Sequence, residues 1–134
     1  MSQRRVVITG LGQVSPVGND VATAWSNLLA GKSGIGRITR FDASDINSQI
    51  AGEVRDFDIG QYISAKEARR MDVFIHYGIA AALQAIEDAG LTEEQVSNER
   101  TGLVIGAGTG SAHNQLVACD AVRGPRGVKA VGPY

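Results

Sequence analysis

The sequence predicts an α/β layered domain with a mainly parallel sheet. Two short apolar runs, Arg5–Thr9 closed by Gly10 and Gly102–Gly106, read as strands, and segments with helical periodicity follow each of them. Strands that alternate with helices pack as layers, with the helices crossing back over the sheet.

Each element has a local reason. Arg5-Val6-Val7-Ile8-Thr9 is rich in β-branched residues and is closed by Gly10, the pattern of a buried strand. Asn19 or Asp20 supplies a cap for the next helix. There Val21, Ala24, Trp25, Leu28 and Leu29 recur at helical spacing, and Gly31 stops them. Residues 32–63 hold many turn formers and little periodicity. They read as a long surface excursion in which Ala51–Phe57, weakly alternating, forms an edge strand. Ser64-Ala65-Lys66-Glu67 is a capping-box pattern. Met71, Phe74, Ile75, Ile79, Leu83 and Ile86 then make one apolar stripe down to Gly90, which predicts a single long, largely buried helix. Thr92 and Gln95 predict a second, shorter capped turn. Beyond Gly102–Gly106 comes a glycine-rich turn, then a helix from about Asn114 to Val122. The last twelve residues carry three glycines, two prolines and no helical pattern.

Composition narrows the class. The chain has 134 residues, a formal net charge of −1 and 43% hydrophobic residues, which suits one globular domain and excludes a disordered chain. Near-neutral charge gives no overall attraction to nucleic acid or to a membrane surface, so neither is expected as a partner. The apolar run behind Arg4 and Arg5 is too short for a signal peptide, and no stretch approaches the length needed to span a membrane. The lone cysteine, Cys119, excludes an internal disulfide and a cysteine-rich zinc site. A soluble, cytoplasmic protein is expected.

Several motifs invite a chemical reading and lack a part of it. Gly31-Lys32-Ser33 has the end of a phosphate loop, but Ser26 stands where the first glycine belongs, and the tripeptide follows a helix rather than a strand. Gly10-Leu11-Gly12 follows a strand as a dinucleotide fingerprint does, yet the third position is Ser15. Gly106, Gly108 and Gly110 come closer, but position 111 is serine. His76 sits beside the apolar stripe and reads as a satisfied core or interface residue. His113 and Cys119 have no spacing that aligns a thiolate with a base, and Cys119 reads as a small apolar filler.

Lys66, Arg69 and Arg70 share one helix face. In the first turns of a long helix they oppose the backbone dipole, each at about 0.3–1 kcal/mol. Two readings stand: a solvated face partly neutralised by Glu67 and Asp72, or a docking site for an acidic partner. A second basic group, Arg123, Arg126 and Lys129, lies in the tail.

The order of specific segments carries a family resemblance. Arg4 to Gly12, then Ser15-Pro16-Val17-Gly18-Asn19, resembles the opening of the β-ketoacyl-acyl-carrier-protein synthases. Leu28 to Ile35, Lys66-Glu67, Arg69 to Asp72 and Phe74 to Gly78 continue the likeness in order, over nearly the whole chain. Residues 1–90 are more similar to synthase II and residues 100–134, above all Arg123 to Tyr134, to synthase I. One mixed family member or a chain assembled from two sources both fit.

The resemblance implies a partial thiolase-like fold, the first part of an amino-terminal αβα half, with residues 1–134 an incomplete amino-terminal portion of the synthase domain. It implies, for the complete protein, a homodimeric acyltransferase of fatty acid biosynthesis that performs a decarboxylative Claisen condensation with malonyl-acyl carrier protein, without metal or diffusible cofactor. The family's catalytic cysteine and two histidines lie in segments not matched here, so no catalytic residue is assigned to this chain and Cys119 does not inherit the role. Lys66, Arg69, Arg70, Arg126 and Lys129 match the basic patch for acyl carrier protein, which favours the docking reading. Gly108 and Thr109, in the turn Gly106–Gly110, match the wall of the acyl pocket. A non-catalytic module that binds acyl carrier protein is the alternative reading, and a nucleotide-binding enzyme a more distant one.

Overall fold

A computed structural model describes residues 4–131. In chain order these residues form helix α1 (Val21–Leu29), strands β1 (Ile35–Arg37) and β2 (Ile50–Gly52), a 3₁₀ turn (Ile59–Gln61), helices α2 (Ala65–Ala68), α3 (Val73–Asp88), α4 (Glu93–Val96) and α5 (Ala112–Arg123), and a second 3₁₀ turn (Gly127–Ala130). No helix is long and apolar enough to cross a membrane among the described residues.

The spine is α3. Its Asp72 cap accepts from the Val73 amide, and Ala80 at mid-helix is fully buried. The N-terminal segment lies directly on it. A Cβ on Gly10 or Gly12 would run into the Ala85 or Ala81 carbonyl, so only glycine lets this backbone approach the helix so closely. The Leu11 amide then donates to Asp88 Oδ2 at 2.8 Å, and the Gln13 amide to Gln84 Oε1 at 3.0 Å. Gln84 Nε2 in turn donates to the Asn19 carbonyl (2.7 Å) and to the Tyr62 hydroxyl (2.8 Å). One half-buried amide on α3 thereby fastens three chain segments to the spine.

The first helix is capped by Asp20, whose carboxylate accepts from the Thr23 amide at 2.7 Å, and it ends just before Gly31 at φ +66°. That glycine is a helix terminator, which removes the phosphate-loop reading of Gly31-Lys32-Ser33. The excursion holds an antiparallel pair, with Ile35 opposite Gly52 and Arg37 opposite Ile50. It starts earlier than the edge strand expected at Ala51–Phe57 and has a partner the sequence did not announce.

Three expectations need correction. Arg5–Thr9 and Gly102–Gly106 form no ladder among the described residues, and much of their apolar surface is uncovered: Val6 is 94% exposed and Val104 97%, while Ile105 turns toward α3. A strand has no hydrogen bonds of its own and registers as one only beside a neighbour. The sole sheet among the described residues is therefore the two-stranded antiparallel pair, not a parallel one. Second, the long helix is interrupted: α2 ends at Ala68, Arg69 caps it, and Asp72 starts α3 afresh. Third, the apolar stripe is only half covered, with Phe74 and Leu83 both 39% exposed.

The shorter elements agree with the sequence. Both capping boxes form, Ser64 with Glu67 and Thr92 with Gln95. The predicted helix near Asn114 begins two residues earlier, with Ser111 accepting from the Asn114 amide at 2.9 Å. The tail, expected to be irregular, folds its 3₁₀ turn back against α5.

Candidate functional site

The break between α2 and α3 sets the geometry of the first basic group. Lys66 lies inside α2, Arg69 is its C-cap and Arg70 follows, and all three are exposed. Arg69 therefore stands at a helix C-terminus, where a cation is favoured, rather than in the first turn of a long helix. Its Nε donates to the Ala65 carbonyl at 3.2 Å, which lays the guanidinium along α2.

The neighbouring acids are occupied elsewhere. Glu67 accepts from the Ser64 hydroxyl (2.6 Å) and amide (3.2 Å), and the Ser64 hydroxyl is the first cause of its lowered pKa. Asp72 serves the α3 cap. Its carboxyl is held below the ordinary aspartate range chiefly by the Ser111 hydroxyl, with the Val73 amide and the nearby His113 and His76 rings adding to the effect. The caps of α3 and α5 thus face each other. Among the described residues neither carboxylate forms an ion pair with Lys66, Arg69 or Arg70.

His76 spans the same break. Its Nε2 lies 2.9 Å from the Ala68 carbonyl, eight residues back, so the ring is a satisfied, half-buried group, as its place beside the apolar stripe predicted.

The second basic group sits beyond α5. Arg126 precedes the 3₁₀ turn and Lys129 lies in it, and both side chains are exposed. Gly108 and Thr109 lie in the exposed turn before α5; Gly110 adopts φ +64°, and the Thr109 carbonyl accepts from Gln115 Nε2 at 3.1 Å. An apolar groove of about 540 Å³ lies one step earlier, between α3 and residues 101–105, with Ile79, Leu83, Ile86, Leu103 and Ile105 in its wall.

The remaining candidate groups have structural surroundings. Cys119 is exposed midway along α5, away from any strand-to-helix junction, and His113 is six residues earlier on the same helix, which turns the two side chains to different faces. Gly10 and Gly12 are used for contact with α3, where a bound phosphate would have no room. No cluster of His, Cys, Asp and Glu suited to a metal occurs among the described residues.

Three groups escaped sequence reading. Glu53, buried, accepts from the Thr39 amide and hydroxyl and from the Arg40 amide. Arg40 Nη2 donates to the Tyr77 hydroxyl at 2.7 Å, which raises the arginine's pKa further. Asp72 is the third. Its signal was present, since aspartate is a preferred cap and a helical stripe follows it at once.

This arrangement of segments on α3 is shared with known proteins. Residues 3–132 match the family model "Beta-ketoacyl synthase, N-terminal domain". The chain belongs to that family. It is 56% identical over 131 residues to 3-oxoacyl-[acyl-carrier-protein] synthase 1 of Haemophilus influenzae, covering 98% of this chain and 32% of that one. It is 48% identical over 134 residues to synthase 2 of Vibrio harveyi, covering 96% and 31%. Among solved structures, the ishigamide ketosynthase/chain length factor superposes with a TM-score of 0.82 at 34% identity, over 98% of this chain and 33% of that one. The fold is a partial thiolase-like α/β fold, and the chain spans about a third of the length of these relatives.

Proposed function

We propose that these residues are the amino-terminal portion of a 3-oxoacyl-acyl-carrier-protein synthase, an acyltransferase that condenses acyl groups with malonyl-acyl carrier protein in fatty acid biosynthesis. The observation that carries the reading is the match to a synthase 1 at 56% identity along 98% of the chain. The complete protein is a dimer in this reading and works in the cytoplasm.

Within it, this segment docks the carrier and supplies part of the acyl pocket, and the nucleophile comes from elsewhere. Lys66, Arg69 and Arg70 are exposed, with Glu67 and Asp72 committed to helix caps, which leaves the cations available to an acidic protein. Arg126 and Lys129 extend that surface. Gly108 and Thr109 contribute to the wall for the acyl chain. Cys119, exposed midway along α5, does not stand at a strand-to-helix junction where the nucleophile of this reading belongs.

The test is to incubate the chain with acylated acyl carrier protein, then measure intact mass and binding. An unchanged mass, with binding that weakens in salt and is lost in Arg69→Glu/Arg70→Glu, is expected. A mass gain of one acyl group that disappears in Cys119→Ala overturns the assignment of no nucleophile. Binding that survives the double reversal overturns the docking surface.

A further inference from the structure

We propose that His76 is a positioning residue for the docking surface: its Nε2–H holds the Ala68 carbonyl and so fixes the segment that carries Arg69 and Arg70. The inference rests on the docking reading above.

Four residues separate α2 from α3, and two of them, Arg69 and Arg70, are docking cations. A helix of four residues has no stability of its own, so neighbouring contacts decide where α2 points. His76 closes a bracket around the break. Its backbone amide donates to the Asp72 carbonyl at 3.3 Å, anchoring it in α3, while its ring reaches back 2.9 Å to the Ala68 carbonyl at the end of α2. The last carbonyls of a helix lack intrahelical donors, and the Ala68 carbonyl otherwise receives only a 3.2 Å bond from the Met71 amide. A carbonyl only accepts, so Nε2 carries the proton whether the ring is neutral or cationic.

The contact ties the end of α2 to α3, the spine. Without it the Arg69–Arg70 segment keeps its charges but loses its fixed position. Docking then costs more ordering, and the loss comes without any change in net basic charge from the arginines themselves.

The experiment compares His76→Gln, which keeps a side-chain N–H donor, with His76→Met, of similar length and without one. Both residues favour helix, so α3 is preserved, and circular dichroism checks it. His76→Leu serves as a second donorless variant of different shape. Affinity for acyl carrier protein is measured for each beside Arg69→Glu/Arg70→Glu. The expected result is parent-like binding for His76→Gln and binding weakened by about three- to tenfold for His76→Met and His76→Leu, the scale of one hydrogen bond. Parent-like binding in the donorless variants, with binding abolished by the double reversal, overturns the role of His76 and leaves the docking reading standing. Equal loss in His76→Gln and His76→Met overturns the assignment of the donor. If the double reversal has no effect, the docking reading itself falls, and the inference with it.

Discussion

The Glu53 carboxylate accepts from both the amide (3.0 Å) and the hydroxyl (2.8 Å) of Thr39, pinning the chain that leaves β1 to the residue that follows β2. A buried carboxylate persists only where donors replace its water, and here the Arg40 amide adds a third at 3.2 Å. Those bonds, the Thr39 amide first, hold the Glu53 pKa below the ordinary glutamate range. A folded-state pKa lower than the unfolded one gives stability that is complete above the unfolded value and lost as pH falls through the folded value. Protection of the Thr39 and Arg40 amides from hydrogen exchange is therefore expected to be constant near neutrality and to collapse at pH below the ordinary glutamate range. In Glu53→Gln the protection is expected to be lower at pH 7 and to lose that acid dependence.

The contact of Gly12 with α3 makes a sharper claim. The Ala81 carbonyl and the Ala85 amide occupy the place where a Cβ would stand, and helix backbone cannot step aside as a flexible side chain can. Gly12→Ala is expected to destabilise the fold by about 1–3 kcal/mol or more, the range for overpacking. Gly102→Ala, in open space without a positive φ, is expected to change stability by roughly half a kcal/mol or less. Denaturant midpoints of the two variants check this, and similar losses in both would remove the packing role of Gly12.

Which parts of the fold were legible follows from where the determining atoms lie. The caps at Asp20, Ser64 and Thr92 were readable because cap and recipient amide are three residues apart. The family and its segment order were readable for a similar reason, being carried by contiguous runs. The break at Asp72 was obscured by an apolar stripe that runs on through Met71 and Phe74 with unbroken helical spacing. The strands at residues 5–9 and 102–106 were legible as propensity, but a ladder is a property of two segments, and propensity does not supply the second. The ties to Glu53 and Gln84 join residues far apart in sequence, with no local pattern to reveal them. In the basic group the charges were visible, but their relation to the α2 C-terminus was not.

Gln84 offers a test of a single polar hub. Its amide uses Oε1 for the Gln13 amide and Nε2 for the Asn19 carbonyl and the Tyr62 hydroxyl. Gln84→Met keeps length and helix propensity while leaving these half-buried partners unsatisfied. The expected cost is about 1–3 kcal/mol, with faster exchange at the Gln13 amide. Unfolding of the variant at the parent's denaturant midpoint would mean that water replaces the amide without loss.

The two basic groups are expected to act as separable parts of one docking surface. Arg126 and Lys129 sit on a turn packed against α5, whereas Lys66, Arg69 and Arg70 belong to α2 and its end. Exposed charges are screened over about 8 Å at physiological ionic strength, so both groups contribute most at low salt. Arg126→Glu/Lys129→Glu is expected to weaken binding of acyl carrier protein and to flatten its dependence on salt, because fewer ion contacts remain to be screened. Charge reversal at a rim acts mainly on the association rate, so stopped-flow association at several salt concentrations is the direct measurement. A slower association with a flatter salt slope supports a shared surface. An unchanged slope would confine docking to the α2 group and take Arg126 and Lys129 out of it.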